Sequence, residues 1–417
     1  MQTFQEVNDR LRQYWPENLA RKAYTLESMQ QLMDYLGNPQ EQTKIIHVAG
    51  TSGKTSTAYY VAALLKACGK RVGLSVSPHV DELNERMQVD LVPMPEAVFC
   101  RDITIFLALV EKSNIIPTYF ELMTAFAYWQ FARKGLEYGV IEVGIGGLID
   151  ATNVVTRRDK VCVITDIGLD HIKKLGSTLG EITAHKAGII QLHNPVFCYR
   201  QGAEVMRMLT KAAQHKQADL HVLDPATDTQ RNDTLPLFQQ RNLGLACAAV
   251  AYVLQRDGGE TLADSAVAQA ALTYIPARME TLAYGDRTIL IDGAHNAQKL
   301  HALCASLRHA YGDQPIAGLL AFVGGRNRDL DDAAKDLAQL IDHIILTDFQ
   351  GEHDSPHNSL DPKELAKTFA RQGAMSLEVI PGPEQALATL LKRPEKLLLV
   401  GGSFYFFNHI RPLLLAK

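Results

Sequence analysis

The stretch HVAGTSGKTSTAYYVAALLKACG, beginning at His47, sets a Gly-containing turn between a short apolar run and a long segment free of helix breakers. Such a strand–turn–helix can point backbone N–H groups at a phosphate, and the helix dipole adds a favourable field. Gly50, Thr51, Ser52, Gly53, Lys54, Thr55 and Ser56 are therefore candidate nucleotide-binding residues. Lys54 would neutralise the outer phosphates, and the Thr55 hydroxyl would ligate Mg²⁺. The full pattern G-x-x-x-x-G-K-[ST] is not met, because its first glycine would fall at Val48. The competing reading is a sharp loop that carries an exposed lysine.

Three more clusters have chemical content. In IEVGIGGLIDATN, Glu142 leaves an apolar run just before Gly144, Gly146 and Gly147. A carboxylate at a strand end beside a phosphate loop suits Mg²⁺, whereas the plain reading is a hydrogen-bonded turn. In TDIGLDHIKKLGSTLGEITAHKAGII, His171 follows another strand end and Lys186 lies in a helical stretch that turns apolar after it. That pattern points Lys186 inward, and a buried lysine needs a partner or must lose its charge. Reaction with CO₂ would convert it to an anionic carbamate able to bind metal. The plain readings are a hydrogen-bonding histidine and a solvated lysine. In LIDGAHNAQKL, Asp292, His295 and Asn296 cross from strand to helix, with Arg278 upstream in a hinge-like segment. An N-capping Asp and an ordinary cation are the alternatives there.

The elements that must hold these groups follow from periodicity. The runs KIIHVAG, RVGLSVS, YGVIEVGIGG, KVCVITDIG and NPVFCY read as buried strands, with helices such as Ser56–Cys68 and Phe120–Lys134 between several of them. A second series, TILIDGAHN, PIAGLLAFVGG, HIILTDF, LEVIP and KLLLVGG, repeats the alternation. Both series predict βαβ units around parallel sheets, an α/β fold. Ligands of such sheets bind beyond the carboxyl ends of the strands, where each polar cluster falls. At 417 residues the chain is too long for one core. The expected domains are 1–283 and a smaller, Rossmann-like 284–417, with Tyr274–Asp286 as hinge because it carries Pro276 and Gly285. Hydrophobic residues form 47% and charged residues 21%, as in an ordinary globular protein. A net charge of −4 argues against a nucleic-acid partner. The six cysteines are scattered without a C-x-x-C pair, and the N-terminal stretch lacks the apolar core of a signal peptide. A cytoplasmic, membrane-independent protein is expected.

Taken in order, LGNPQ, HVAGTSGKTS, SPH, EVGIGG-x-x-DATN, IGLDH-x-x-x-LG, KAGI, R-x-E, DGAHN and GSFY resemble the folylpolyglutamate synthase/dihydrofolate synthase family, relatives of the Mur ligases. The resemblance runs from about Leu36 to Arg411. It implies a Mur-ligase-type P-loop ATPase domain followed by a Rossmann-like α/β domain that ligates glutamate. It also implies an ADP-forming amide ligase. ATP phosphorylates a pteroate or folate carboxylate, and the amine of L-glutamate attacks the acyl phosphate. Carried across by position, Gly50, Thr51, Gly53, Lys54 and Thr55 match the phosphate loop. Thr55, Glu142, His171 and Lys186 match the metal site, with Lys186 carbamylated in many members. Asn242 and Arg278 match residues near ATP, the latter reaching the terminal phosphate. Asp292 and His295 match the nucleotide and amino-acid side, and Ser77, His79, Asp150 and Ser403 match substrate positions. Lys54, Lys186, Arg278 and His295 are the implied catalytic groups, with ATP, Mg²⁺ and K⁺ as implied cofactors. The partners are then small molecules, and a monomer is expected.

Four departures stand out. The loop reads TSGKTS where the family reads TNGKGS, Leu148 and His357 replace arginines, and His185 replaces a glutamate. Arginines lost from an anion-binding site change what it recognises. A second ligase reading therefore keeps the chemistry and takes another carboxylate, such as a cell-wall precursor. A nucleotide-binding regulator without ligase activity and a phosphotransferase acting on a hydroxyl are the remaining readings. Retention of Lys54, Glu142, His171, Lys186 and Arg278 together argues against the regulator, and the DGAHN segment argues against a simple kinase.

Overall fold

The structure, a computed structural model, describes residues 1–15, 25–229, 232, 234–324, 330–352 and 356–415. Residues 16–24, in the stretch read above for a signal peptide, lie outside these. The chain divides into two compact units, Met1–Asn232 with Gln239–Thr273, and Asp233–Phe238 with Tyr274–Lys417.

The first unit is built on eight strands: β1 (Lys44–Ala49), β2 (Val72–Ser75), β3 (Met87–Val89), β4 (Val92–Pro93), β5 (Tyr138–Glu142), β6 (Val161–Ile164), β7 (Pro195–Tyr199) and β8 (Asp219–Leu223). Their order is β4-β3-β2-β5-β1-β6-β7-β8. From β2 through β8 neighbouring strands run parallel, and β3 and β4 add an antiparallel edge. The inner strands are buried along almost their whole length. That is why they read as continuous apolar runs and not as alternating ones. All five strands expected in this half form, as β1, β2, β5, β6 and β7. The register sets Val48 beside Glu142 and Ala49 beside Ile164, so the carboxyl ends of β5, β1 and β6 lie side by side. The helix Lys54–Ala67 follows the loop, and its residues Ser56 to Leu65 are all buried. The helix Tyr119–Arg133 begins at a capping box formed by Thr118 and Glu121. It contributes Phe126 to a cluster with Phe99 and Phe106, at ring separations of 5.5 and 5.4 Å.

The second unit holds a six-stranded sheet in the order β15-β12-β11-β16-β10-β9. Its strands are β9 (Glu280–Tyr284), β10 (Arg287–Asp292), β11 (Ile316–Leu320), β12 (His343–Leu346), β15 (Leu377–Val379) and β16 (Leu397–Gly401). A separate hairpin pairs β13 (Gln350–Glu352) with β14 (Pro356–Asn358). All sheet neighbours are parallel except β9, which pairs antiparallel with β10. That pairing draws the expected hinge into the second unit. The break falls between Thr273 and Tyr274, ahead of the expected boundary at 283/284. Gly285, read as a hinge residue, has φ +61° in the tight turn joining β9 to β10.

Candidate active site

The loop after β1 is held mainly by the neighbouring strand end. Thr51 and Ser52 both donate their N–H to the Asp166 carbonyl, at 2.8 and 3.1 Å. The Thr51 hydroxyl bonds to Gly168, donating to its carbonyl at 3.0 Å. A phosphate would therefore be met by the helix N-terminal turn beginning at Gly53, and not by the whole run from Gly50. Two glycines are required for steric reasons. A Cβ on Gly50 would lie 1.8 Å from Thr165 Oγ1, and one on Gly53 would lie 2.4 Å from Asn242 Oδ1. Gly53 also has φ +84° at the helix N-cap.

Lys54 Nζ donates to the Gly50 carbonyl at 3.1 Å, and Lys186 Nζ donates to the same oxygen at 2.7 Å. Lys186 points inward as its apolar surroundings predict, with 3% exposure. Glu142, also buried, accepts the Thr55 hydroxyl at 2.9 Å on Oε1 and the Ser77 N–H at 3.2 Å on Oε2. Thr55 and Glu142 thus form a hard oxygen pair of the kind Mg²⁺ prefers. His171 caps a short helix in the left-handed region, with Nε2 3.9 Å from Asp170 Oδ1. Among the described residues no group of three His, Cys, Asp or Glu is arranged to hold a metal ion. The expected metal set is represented by the Thr55–Glu142 pair, while the Lys186 amine engages the loop.

Around this centre the substrate candidates are well braced. His79 Nδ1 accepts from Nε of the buried Arg86 at 2.8 Å, and that guanidinium lies 5.2 Å from the Tyr119 ring centroid. Asp150 is buried, which raises its pKa, opposed by hydrogen bonds from Thr152 and from the Ile145 N–H. Behind it His47 Nε2 meets Thr152 Oγ1 at 2.8 Å, and burial holds that imidazole neutral well below its usual pKa. The Leu148 N–H donates to the His185 carbonyl at 2.7 Å, so two of the departures are neighbours in space. Leu148 is 49% exposed. The Asn242 amide, beside Gly53, donates to Gln239 at 3.3 Å.

In the second unit Asp292 ends β10 and is buried. Its two oxygens accept the N–H groups of Met279 and Ala294, both at 2.8 Å. Burial raises its pKa, partly offset by the Arg278 charge. It braces backbone and does not cap the next helix. Asn296 caps the helix Ala297–Tyr311 by accepting from the Lys299 N–H at 3.0 Å. His295 Nδ1 meets the Gly293 carbonyl at 2.8 Å, and its Nε2 lies 3.1 Å from Lys299 Nζ. The Arg278 guanidinium sits 4.3 Å from the Phe404 ring centroid. The same ring would lie 2.4 Å from a Cβ on Gly293 and meets His295 edge-on at 6.2 Å. Ser403 is buried, its Oγ accepting the Tyr405 N–H at 3.2 Å. His357 stacks on Tyr405 at 3.7 Å.

Comparison with known proteins decides the family. The Mur ligase middle domain matches residues 48–234, and the Mur ligase glutamate ligase domain matches residues 277–404. Dihydrofolate synthetase of Saccharomyces cerevisiae is 31% identical over 92% of this chain and 96% of its own length. The chain belongs to the folylpolyglutamate/dihydrofolate synthase family of Mur ligases. Folylpolyglutamate synthase of Lacticaseibacillus casei is likewise 31% identical, over 92% of this chain and 93% of that protein. The solved structure of Mycobacterium tuberculosis folylpolyglutamate synthase complexed with ADP superposes with a TM-score of 0.84 at 27% identity, covering 98% of each chain.

Several braces of this family member escaped sequence reasoning. The Asp166 carboxylate, whose own carbonyl holds the loop, is gripped by Arg241 at 2.9 and 2.7 Å. That guanidinium stacks 4.1 Å from the Tyr199 ring centroid. Arg86, Phe404 and the buried Glu280–Arg411 pair are similar cases. For Asp166, Arg241, Phe404 and Glu280 the one available signal was their position inside the motifs TDIG, QQRN, GSFY and R-x-E, and Arg86 and Arg411 lie in none of these.

Proposed function

We infer that this ligase joins L-glutamate to the carboxylate of a pteroate or folate, with ATP as phosphate donor and ADP and phosphate as products. One observation carries the reading: Lys54, Lys186, Thr55 and Glu142 converge at adjoining strand ends, in a chain that matches a dihydrofolate synthetase along nearly its whole length. A carboxylate is a poor electrophile until phosphate replaces one of its oxygens as a leaving group. The enzyme's task is then charge neutralisation and positioning.

ATP binds at the N-terminal turn of the helix Lys54–Ala67, with Lys54 leaving the Gly50 carbonyl to meet the outer phosphates. Thr55 and Glu142 would hold Mg²⁺, with His171 as a further ligand, and the ion supplies charge neutralisation on the phosphates when bound. Arg278 acts on the terminal phosphate, and Asn242 supports the nucleotide. His295 serves the incoming amino acid, Ser77, His79 and Asp150 serve the acceptor, and Ser403 completes the substrate contacts. The first unit would carry nucleotide and acceptor binding and the second unit glutamate ligation, with the division at Thr273/Tyr274 and not at 283/284. Lys186 is the carbamate candidate. Two ammonium groups on one carbonyl oxygen repel, and a carbamate at Lys186 would turn that repulsion into attraction toward Lys54.

The acceptor is the less anionic of the family's two. Leu148 and His357 put an exposed alkyl group and a stacked imidazole where arginines are expected. Dihydropteroate, with one carboxylate, makes less demand on such arginines than a glutamate-extended folate. Purified protein with MgATP should release ADP only when a pteroate-type acid and L-glutamate are both present, and fastest with dihydropteroate. Product from a muramyl or other carboxylate, with none from a folate panel, would move the assignment to the other acceptor class.

A further inference from the structure

Arg278 is carried on an unusual piece of backbone. Ala277 and Met279, on either side of it, have φ of +53° and +48°. L-residues avoid this region because Cβ crowds the following carbonyl, and such geometry persists only where the surroundings over-determine it. Here they do. The Ala277 N–H donates to Glu280 Oε2 at 3.0 Å, and the Met279 N–H donates to Asp292 Oδ2 at 2.8 Å. The Ala277 carbonyl accepts from the Gly293 N–H at 3.0 Å and from Arg278 Nη1 at 3.2 Å.

Glu280 is itself pinned. Its Oε2 pairs with Arg411 Nη1, and its Oε1 accepts the Tyr274 hydroxyl at 2.7 Å. Arg411 Nη2 bonds to that hydroxyl as well, at 3.1 Å. Glu280 and Arg411 are 5% and 4% exposed. Arg411 lies on the helix Phe404–Leu415, which also supplies Phe404 beneath the Arg278 guanidinium. One helix therefore grips Arg278 at both ends, the backbone through Arg411 and Glu280 and the guanidinium through Phe404.

We propose that Glu280 and Arg411 are positioning residues for Arg278: their buried pair fixes the turn that carries the guanidinium. The proposal rests on the reading of Arg278 as a ligand of the terminal phosphate. The plainer role is a pair that only ties the last helix to the sheet, and buried ion pairs are weak evidence for stability in any case. A double-mutant cycle on ligand affinity separates the two roles.

The dissociation constant of β,γ-methylene ATP would be measured by calorimetry with Mg²⁺ for wild type, Arg278→Ala, Glu280→Gln and the double variant. Positioning predicts that Arg278→Ala and Glu280→Gln each weaken binding about tenfold. It also predicts that Glu280→Gln adds less than twofold once Arg278 is gone. An equal loss in both backgrounds, or a Glu280→Gln protein that binds within twofold of wild type, overturns the proposal. If Arg278→Ala binds like wild type, the phosphate reading of Arg278 is the part that fails, and the proposal falls with it. Arg411→Lys, which keeps the charge but not the fork, repeats the cycle should Glu280→Gln not fold, with the same expectations.

Discussion

Replacing Gly53 by alanine tests the loop geometry directly. Gly53 has φ +84° and ψ −7°, a left-handed conformation that costs an L-residue about 1–2 kcal/mol. The new Cβ would also lie 2.4 Å from Asn242 Oδ1 and 3.2 Å from its Cγ. Asn242 is 7% exposed and its amide donates to Gln239, so it has little room to retreat. Overpacking of this kind costs roughly 1–3 kcal/mol. Gly53→Ala should therefore lose about 2–5 kcal/mol, which at roughly 2–4 °C per kcal/mol lowers the melting transition by on the order of 10 °C. With two units present, the transition is assigned in scanning calorimetry by its shift when a non-hydrolysable ATP analogue is added. The same variant should bind that analogue at least tenfold more weakly. Gly53→Ala combined with Asn242→Ala removes the collision but keeps the backbone cost, so part of the stability returns while the affinity does not. An unchanged transition and unchanged affinity in Gly53→Ala would refute the geometry described for this loop.

Two more outcomes are expected. Lys186→Ala should release no phosphate, and wild-type protein in ¹³C-bicarbonate should give a carbamate signal that the variant lacks; wild-type turnover by the variant, without added acetate or bicarbonate, contradicts this. His47 is buried and neutral, with its folded pKa well below the ordinary 6.5, so the unfolded chain binds the extra proton and stability falls as pH drops below about 6.5. His47→Gln should flatten that slope in thermal melts from pH 7 to 5, and an identical slope in both proteins would exclude His47 as its source.

What the sequence revealed follows a physical divide. Strands such as KIIHVA and VCVI are buried on both faces, so their apolar runs stand out. Strand β8 (DLHVL) is half exposed at a sheet edge and carries no such run, and β3 and β4 are too short to show a period. Strand β9 was hidden by its flanking Pro276 and Gly285, which read as hinge punctuation although Gly285 only makes the hairpin turn. At the site, residue types whose chemistry is local could be read, as Lys54 after a glycine turn or Lys186 before an apolar stretch. The supporting pairs could not. Arg241 reaches Asp166 across 75 positions of chain and Arg411 reaches Glu280 across 131, and no periodicity links such partners. Thr51 and Ser52 mark the same limit from the other side. Their residue types fit a phosphate loop, but their amides belong to Asp166.

That last attachment bears on how quickly the enzyme can begin a cycle. A loop stapled by two amides to the next strand, with the staple's carboxylate clamped by Arg241, is built before any nucleotide arrives. Little ordering entropy then remains to be lost on association, so more of the contact energy appears as affinity. On the proposed reading, nucleotide capture would then need only diffusion and a swing of the Lys54 side chain, a rotamer change among the faster classes of protein motion.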